Sequence, residues 1–582
     1  MKKTARHDFS ENNQALTGTE AGALRLAKTR LLLMIGGFFL GYLAVTLRLT
    51  ELTLLRTVTE EEVAVRPALI APEPLRGTIL DRNGELMATT LTMASIYADA
   101  TQIENPQVVA RDIADILPQI KAADLAGKLA EDKKFIWISR NITPRQEYAI
   151  NKLGHPGIGF KQEDRRIYPH GNLTAHLLGY TDVDGRGIAG VERAFDKQLS
   201  EGAEDLRLTI DLRIQHILHK ELSAAQKKFS ALGATGIVMD VNSGEIIAAV
   251  SLPDFDPYDP RSASDEQKFS RATLGVYEMG STFKIFSTAA ALDSGKVSFQ
   301  STFDAIEPIK RGRFTISDFH PKRRVLTLPE VFMYSSNIGT AKMALTMGED
   351  RLRDYYEDFG FFNSVPVDIS EKGLPIYHRR WTELSAITTS FGHGISVTPL
   401  HVLRAVAAVV NGGILIRPQI VKPANASALS LVPRGERILT PQTSAKMRQL
   451  LELVVADGTG ANAYVEGYHV GGKTGTAEKS VGKKGYDKNA RISSFIGVFP
   501  IQNPRYAVLA LIDEPQAIKE THGYATGGWV AAPVVSTVIA QMGPLYQIPP
   551  DFDQTRNIQD ELKPYLKDIK KKGAHVAAQA TR

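Results

Sequence analysis

The chain has 582 residues, of which 43% are hydrophobic and 23% charged, with a formal net charge of +5. That length is too great for one hydrophobic core and implies two or three domains, while the small net charge, with Lys and Arg spread along the chain, argues against a nucleic-acid partner. Cysteine is absent, which excludes disulfides and thiolate metal sites and is compatible with an oxidising envelope compartment.

Residues 31–47, LLLMIGGFFLGYLAVTL, carry no charge over 17 positions. As a helix they span about 25 Å, enough to cross a bilayer core if Arg30 and Arg48 snorkel. This predicts a transmembrane signal anchor over 31–49. The preceding residues 1–30 hold Lys2, Lys3, Arg6, Arg25, Lys28 and Arg30 against Asp8, Glu11 and Glu20. That bias keeps them as a cytoplasmic tail and sends everything after Leu49 outward. A cleaved signal peptide is the alternative. The segment is long for such a peptide, and no clear small-x-small cleavage site follows it.

Residues 50–206 form a mixed, turn-rich region that reads as a separate exported domain. Within it, RGTILDRNGELMATT (76–90) predicts two short strands around an Asn-Gly turn. A second domain is expected over 207–548. Its first part, LRLTIDLRIQHILHKEL (206–222), passes from a strand pattern into an amphipathic helix. GIVMDVNSGEIIAAVS (236–251) follows as a hairpin turning at Asn242-Ser243-Gly244. Near the far end, SSFIGVFP (493–500) and RYAVLALI (505–512) predict another hairpin, then an apolar helix over 529–542. Strands at both ends with helices between them describe an α+β domain whose sheet joins its N- and C-terminal parts. Residues 549–582, few in aromatics and with a cationic run at 567–572, are expected to be a flexible tail.

Between the hairpins, YEMGSTFK (277–284) places Ser281 and Lys284 three residues apart at a helix start. That offset puts both side chains on one face, beside unpaired N–H groups with positive dipole character. A serine hydroxyl needs a base to become a nucleophile, and a lysine is that base only when burial or nearby positive charge lowers its pKa. Ser-x-x-Lys should occur about twice by chance in a chain this long, and Ser480-Val-Gly-Lys483 repeats it in a Gly- and Lys-rich stretch without apolar periodicity. Taken alone, Ser281 also reads as a helix-capping serine.

Two further stretches change the balance. MYSSNIGTAKMAL (333–345) carries Ser335-Ser336-Asn337 at the head of a helical pattern, and HVGGKTGTAEK (469–479) carries Lys473-Thr474-Gly475-Thr476 on a predicted strand. Together the three resemble the S-x-x-K, S-x-N and K-T-G signature of the penicillin-binding proteins and class A β-lactamases, in the right order. RGTILDRNGELMA, RRIYPHGNLTAHLLGY (165–180) and GIAGVERAFDKQL (187–199) are similar to the pedestal motifs of class B penicillin-binding proteins. The resemblance extends from the membrane segment to about residue 545.

This resemblance implies a pedestal over 50–206, a transpeptidase domain over 207–548, and a peptidoglycan D,D-transpeptidase of the septal, FtsI type. It assigns Ser281 as nucleophile and Lys284 as its base. Ser335 would relay a proton, Asn337 would hold the substrate amide and Lys284, and Lys473 would add positive potential. Thr474, Gly475 and Thr476 would bind the substrate, and the N–H groups of Ser281 and Thr476 would form the oxyanion hole. Arg76, Arg166 and Glu192 would pack at the domain junction. Expected partners are peptidoglycan stem peptides, β-lactams, the inner membrane, and a polytopic membrane glycosyltransferase with other division proteins; no metal or cofactor is implied. The alternatives are an elongation-type transpeptidase and a weakly catalytic penicillin-binding sensor or scaffold. A bifunctional enzyme lacks room for its glycosyltransferase. A β-lactamase would need an E-x-x-L-N element, to which Glu371-Lys372-Gly373-Leu374-Pro375 comes nearest without the Asn.

Overall fold

The computed structural model describes residues 18–51, 75–202, 204–312, 314–422, 435–480, 485–552 and 557–567. It divides into two compact units, Met1–Glu73 and Pro74–Arg582.

The described residues of the first unit form one helix, α1 (Gly18–Thr50). Leu33 and Phe38 are each 71% exposed, so these apolar side chains are left uncovered by the described residues. Residues Arg25–Thr50 are long and apolar enough to cross a membrane. The hydroxyl of Thr46 donates to Tyr42 O at 2.8 Å, so its polar group is satisfied inside the helix, as a lipid environment requires.

The second unit begins with the expected pair of strands, β1 (Ile79–Leu80) and β2 (Leu86–Ala98). Asp81 organises their turn, accepting from Asn83 N at 2.7 Å and Glu85 N at 2.9 Å. β2 also pairs antiparallel with β3 (Ile136–Ile142) and β4 (Ile158–Ile167). Helices α2 (Pro106–Ile116), α3 (Ala122–Leu129) and α4 (Pro144–Leu153) accompany this sheet over a core that includes Ile96, Ile113 and Leu125. The strand read at the start of the second domain joins both: β5 (Leu206–Arg207) runs parallel to β1, and the next residues, Leu208 and Thr209, pair with Val421 and Ile420.

Glu192, fully buried, receives Arg76 Nε at 2.8 Å and Arg166 Nε at 2.7 Å. Arg76 continues to Asp196 Oδ1 at 2.7 Å, and Arg166 to Gly77 O at 2.8 Å. The three charges singled out in the sequence therefore form one network that ties residues 76–77, β4 and the 190–196 segment together. Removing one member would leave another charge buried without a partner.

Beyond α5 (Leu212–Lys228) stand β6 (Gly233–Asp240) and β7 (Ile246–Leu252), the first predicted hairpin, with Gly244 at φ +78° in its turn. Next come α6 (Lys284–Asp293), α7 (Leu328–Met333), α8 (Asn337–Met347), α9 (Pro399–Val410) and α10 (Pro441–Asp457). The chain closes the sheet with β8 (Gly471–Ser480), β9 (Tyr486–Phe499) and β10 (Tyr506–Asp513). The order is β8-β9-β10-β6-β7, antiparallel throughout, so the N- and C-terminal hairpins do meet. β10 is buried along its whole length, as a central strand covered on both faces must be. α11 (Ala532–Leu545) packs on this sheet through Val535, Val538 and Ile539.

Part of the expected tail behaves differently. In α12 (Ile558–Leu562) and the turn after it, Ile558, Leu562 and Leu566 enter the core. Lys567 N donates to Glu330 Oε1 at 2.7 Å, and Thr327 Oγ1 donates to Tyr565 O at 2.6 Å. Low aromatic content concealed three apolar residues spaced by four, two of them on α12, which packs against α10, and the third in the turn beyond it.

Candidate active site

Ser281 lies in a single tight turn, Gly280–Phe283, that runs directly into α6 at Lys284. The turn is pressed against the edge strand. Gly280 has φ +53°, and a Cβ there would come within 2.5 Å of Thr476 O, so only glycine admits both the conformation and the approach. Within a strand the N–H and C=O of one residue leave on the same side. Thr476 O faces Gly280, away from β9, and its N–H therefore opens on the same unpaired edge as Ser281. The Ser281 hydroxyl has no hydrogen-bond partner among the described residues.

Lys284 is fully buried in the face of α6 and is held by the second motif. Its Nζ donates to Ser335 O at 2.5 Å and approaches Ser335 Oγ at 3.1 Å and Asn337 Oδ1 at 2.7 Å. Burial pushes its pKa down to about 7, against the attraction of Asp318. Lys473, on β8 and equally buried, reaches the same Ser335 Oγ at 3.0 Å. Burial, and after it the charge of Lys284, holds Lys473 well below the ordinary lysine range. Two ammonium groups thus converge on one hydroxyl with no carboxylate in ion-pair contact among the described residues, which favours a neutral amine at the centre.

Backbone geometry delivers Ser335 to this meeting point. It has φ +58°, a left-handed conformation that breaks the chain between α7 and α8 and turns its side chain inward. Ser336 then caps α8, accepting from Gly339 N at 2.9 Å. On β8, the Thr474 and Thr459 hydroxyls lie 2.9 Å apart, and Thr476 Oγ1 accepts from Gly527 N at 3.1 Å. Gly475 sits between Met279 and Ser494, where a Cβ would fall 2.7 Å from Met279 O.

The structure brings Lys284, Ser335, Asn337 and Lys473 into one hydrogen-bonded cluster, with Ser281 one turn from Lys284 and Thr474–Thr476 along the adjacent edge. The competing Ser480 ends β8, and Lys483 lies outside the described residues. Glu371 is directed elsewhere: its Oε1 accepts from Gly190 N at 3.1 Å, beside the buried Arg76–Glu192 network.

Several neighbours were not legible in the motifs. Asp318 accepts from Ser336 Oγ at 2.7 Å and Ile338 N at 3.0 Å, while Ser317 O accepts from Asn337 Nδ2 at 3.0 Å. Glu278 accepts from Gly394 N at 2.9 Å and from the Tyr486 hydroxyl at 3.0 Å. Burial raises its pKa despite these bonds. His393 is driven down to about 4 by burial and by the charge of Lys284. The only advance signal was proximity of Glu278 to Ser281 in the chain.

Comparison with known proteins identifies the family of both domains. Residues 234–540 match the penicillin binding protein transpeptidase domain, and residues 71–209 match the penicillin-binding protein dimerisation domain. A Caulobacter vibrioides protein described as "Probable peptidoglycan D,D-transpeptidase FtsI" is 39% identical, covering 81% of each chain. The Escherichia coli "Peptidoglycan D,D-transpeptidase FtsI" is 32% identical over 82% of this chain and 84% of that one. The crystal structure of penicillin binding protein 3 from Mycobacterium tuberculosis, in complex with aztreonam, shares the fold with a TM-score of 0.65 at 23% identity, covering 82% of this chain and 98% of that one. The chain belongs to the penicillin-binding protein transpeptidases. With α1 at its N-terminal end, it is a membrane-anchored member of that family.

Proposed function

We propose that the chain is a serine-type peptidoglycan D,D-transpeptidase of the septal, FtsI type. The observation that carries the reading is a fully buried lysine with its pKa near 7, one helical turn from Ser281 and bonded to Ser335 and Asn337. Such a group is a base at neutral pH, which an exposed lysine is not.

The Ser281 hydroxyl gives its proton to Lys284 Nζ as Oγ bonds the carbonyl carbon of the penultimate D-alanine. The N–H groups of Ser281 and Thr476 receive the developing oxyanion. Collapse breaks the C–N bond to the terminal D-alanine, whose amine takes a proton through Ser335. An acceptor amine then attacks the ester and gives up a proton to Lys284, and Ser281 leaves with one. Asn337 orients the donor amide, Lys473 supplies positive potential, and Thr474 and Thr476 with Gly475 between them hold the donor carboxylate. β-Lactams acylate the same serine, and with Glu371 bonded at Gly190 no E-x-x-L-N carboxylate stands at Ser281 among the described residues.

The domain assignment that accompanies this reading is a cytoplasmic tail over 1–30, a single-pass anchor over 31–49, a pedestal over 50–206 and the periplasmic transpeptidase domain over 207–548. Residues 549–582 follow as a C-terminal segment. Division proteins, including a polytopic membrane glycosyltransferase, are the proposed partners at the septum; the FtsI names of the relatives support division over elongation. Fluorescent penicillin should label the wild type and leave folded Ser281→Ala unlabelled, and labelling that survives the substitution would refute the assignment. Depletion should give filaments; round cells would point to elongation instead.

A further inference from the structure

The rim of the site beside the second motif holds charge that the chemistry at Ser281 does not use. From Lys310 to Arg324 the sequence carries Lys310, Arg311, Arg313, Lys322, Arg323 and Arg324 against a single carboxylate, Asp318. The stretch forms a small hairpin, Ile309–Arg311 with Phe314–Ile316, followed by an exposed loop. Two of these cations are engaged: Arg311 Nε donates to Glu383 at 2.8 Å, and Arg324 clamps Glu330 through bonds of 2.8 and 2.9 Å. Asp318 is turned inward to Ser336 and Ile338. Lys322 and Arg323 are exposed and have no carboxylate partner among the described residues.

The loop is fixed to the reaction centre at both of its sides. Ser317 O accepts from Asn337, and Lys322 Nζ stands 4.1 Å from the ring centroid of Tyr334, the residue before Ser335. His320 lies 6.4 Å from the ring of Tyr524, which stacks on Trp529 at 6.3 Å; in that same segment Gly527 N donates to Thr476. Lys322 therefore stands on a loop that contacts both the second motif and the segment beside the third, with Arg323 next to it in the chain and Phe319, 68% exposed, in the same loop.

We propose that Lys322 and Arg323 form a subsite for carboxylates of the peptidoglycan stem peptides, outside the site that holds the terminal D-alanine. The proposal rests on the transpeptidase reading and adds to it how the polymer is held. Charge complementarity selects the occupant: a glycan strand presents stem-peptide carboxylates repeatedly beside each reacting terminus, and Lys322 and Arg323 are cations with no carboxylate partner among the described residues. A single exposed ion pair contributes little, but pairs on a strand already engaged at Ser281 form at high effective concentration.

The test uses the full chain in detergent micelles and soluble uncross-linked glycan strands, with stem-peptide carboxylates either free or amidated. Lys322→Gln/Arg323→Gln should weaken binding of free-carboxylate strands about fivefold at low salt, and Lys322→Glu/Arg323→Glu should weaken it further. The difference should vanish for amidated strands and in about 1 M salt. Penicillin acylation of Ser281 should stay at the wild-type rate, which also reports that both variants are folded. Unchanged strand binding, or equal loss with amidated strands, would overturn the subsite. So would a loss confined to vesicles of phosphatidylglycerol, which would make the rim a lipid contact. Failure of the wild type to be acylated would instead overturn the transpeptidase reading beneath it.

Discussion

The protonation state of Lys284 controls the acylation rate in a way that fixes both the sign and the size of a pH effect. Burial disfavours the ammonium form, so the folded-state pKa falls from 10.5 to about 7. A base must be neutral to accept the Ser281 proton. The acylation rate constant should therefore rise about tenfold per pH unit below 7 and level off above about 8. At pH 5 the rate should be about a hundredfold below the plateau, equivalent to about 3 kcal/mol in the barrier. Lys284→Arg keeps its charge throughout this range; it should lose the rising limb and fall about 10²–10⁴-fold at pH 8, the usual contribution of a positioned base. The same shift acts on stability with a defined sign. The unfolded chain binds more protons than the folded one between about pH 7 and 10.5, so folding gains stability as pH rises through that window. The assay is time-resolved labelling with fluorescent penicillin from pH 5 to 9, with circular dichroism to confirm folding. A flat wild-type profile, or an Arg variant within threefold of wild type at pH 8, would refute the reasoning.

Asp318→Ala removes the attraction that raises the Lys284 pKa, so the midpoint of the rising limb should move to lower pH, while loss of the bonds to Ser336 and Ile338 costs about 1–3 kcal/mol by urea denaturation; a midpoint shift upward would contradict the assigned geometry. Gly280→Ala forces a Cβ towards Thr476 O at φ +53°, and should cost about 2 kcal/mol or more and abolish labelling; wild-type labelling would mean the turn is looser than described. Glu192→Gln leaves Arg76 and Arg166 without their shared carboxylate and should destabilise the chain by about 3–5 kcal/mol, read as a lower thermal midpoint, whereas an unchanged midpoint would show that the two guanidinium groups find other partners.

Much of this architecture is written in short-range chemistry. The turns at Asn83-Gly84 and Asn242-Ser243-Gly244, the caps at helix starts and the uncharged run 31–47 depend on residues within a few positions of one another, so they can be read without the fold. The three motifs belong to the same class. Each is a few residues long, and each stands in the local setting its chemistry needs: Ser281 in the turn that opens α6, Ser335 before α8, and Lys473–Thr476 on β8.

The tertiary structure decided what surrounds them. Lys284 becomes a base only because packing removes it from water and α7 and α8 bring Ser335 and Asn337 across 51 and 53 residues to its amine. Nothing local in Asp318 shows that it faces Ser336, since that choice depends on where a separate hairpin lands. Glu371 resembles part of a hydrolase motif in the chain, yet it bonds Gly190, 181 residues away. Residues 557–567 look like tail until the groove beside α7 gives Ile558, Leu562 and Leu566 something to bury against. Local propensity sets which elements form; burial and partner choice across long sequence separations, which arise only when those elements pack, set the charges and contacts from which the site is made.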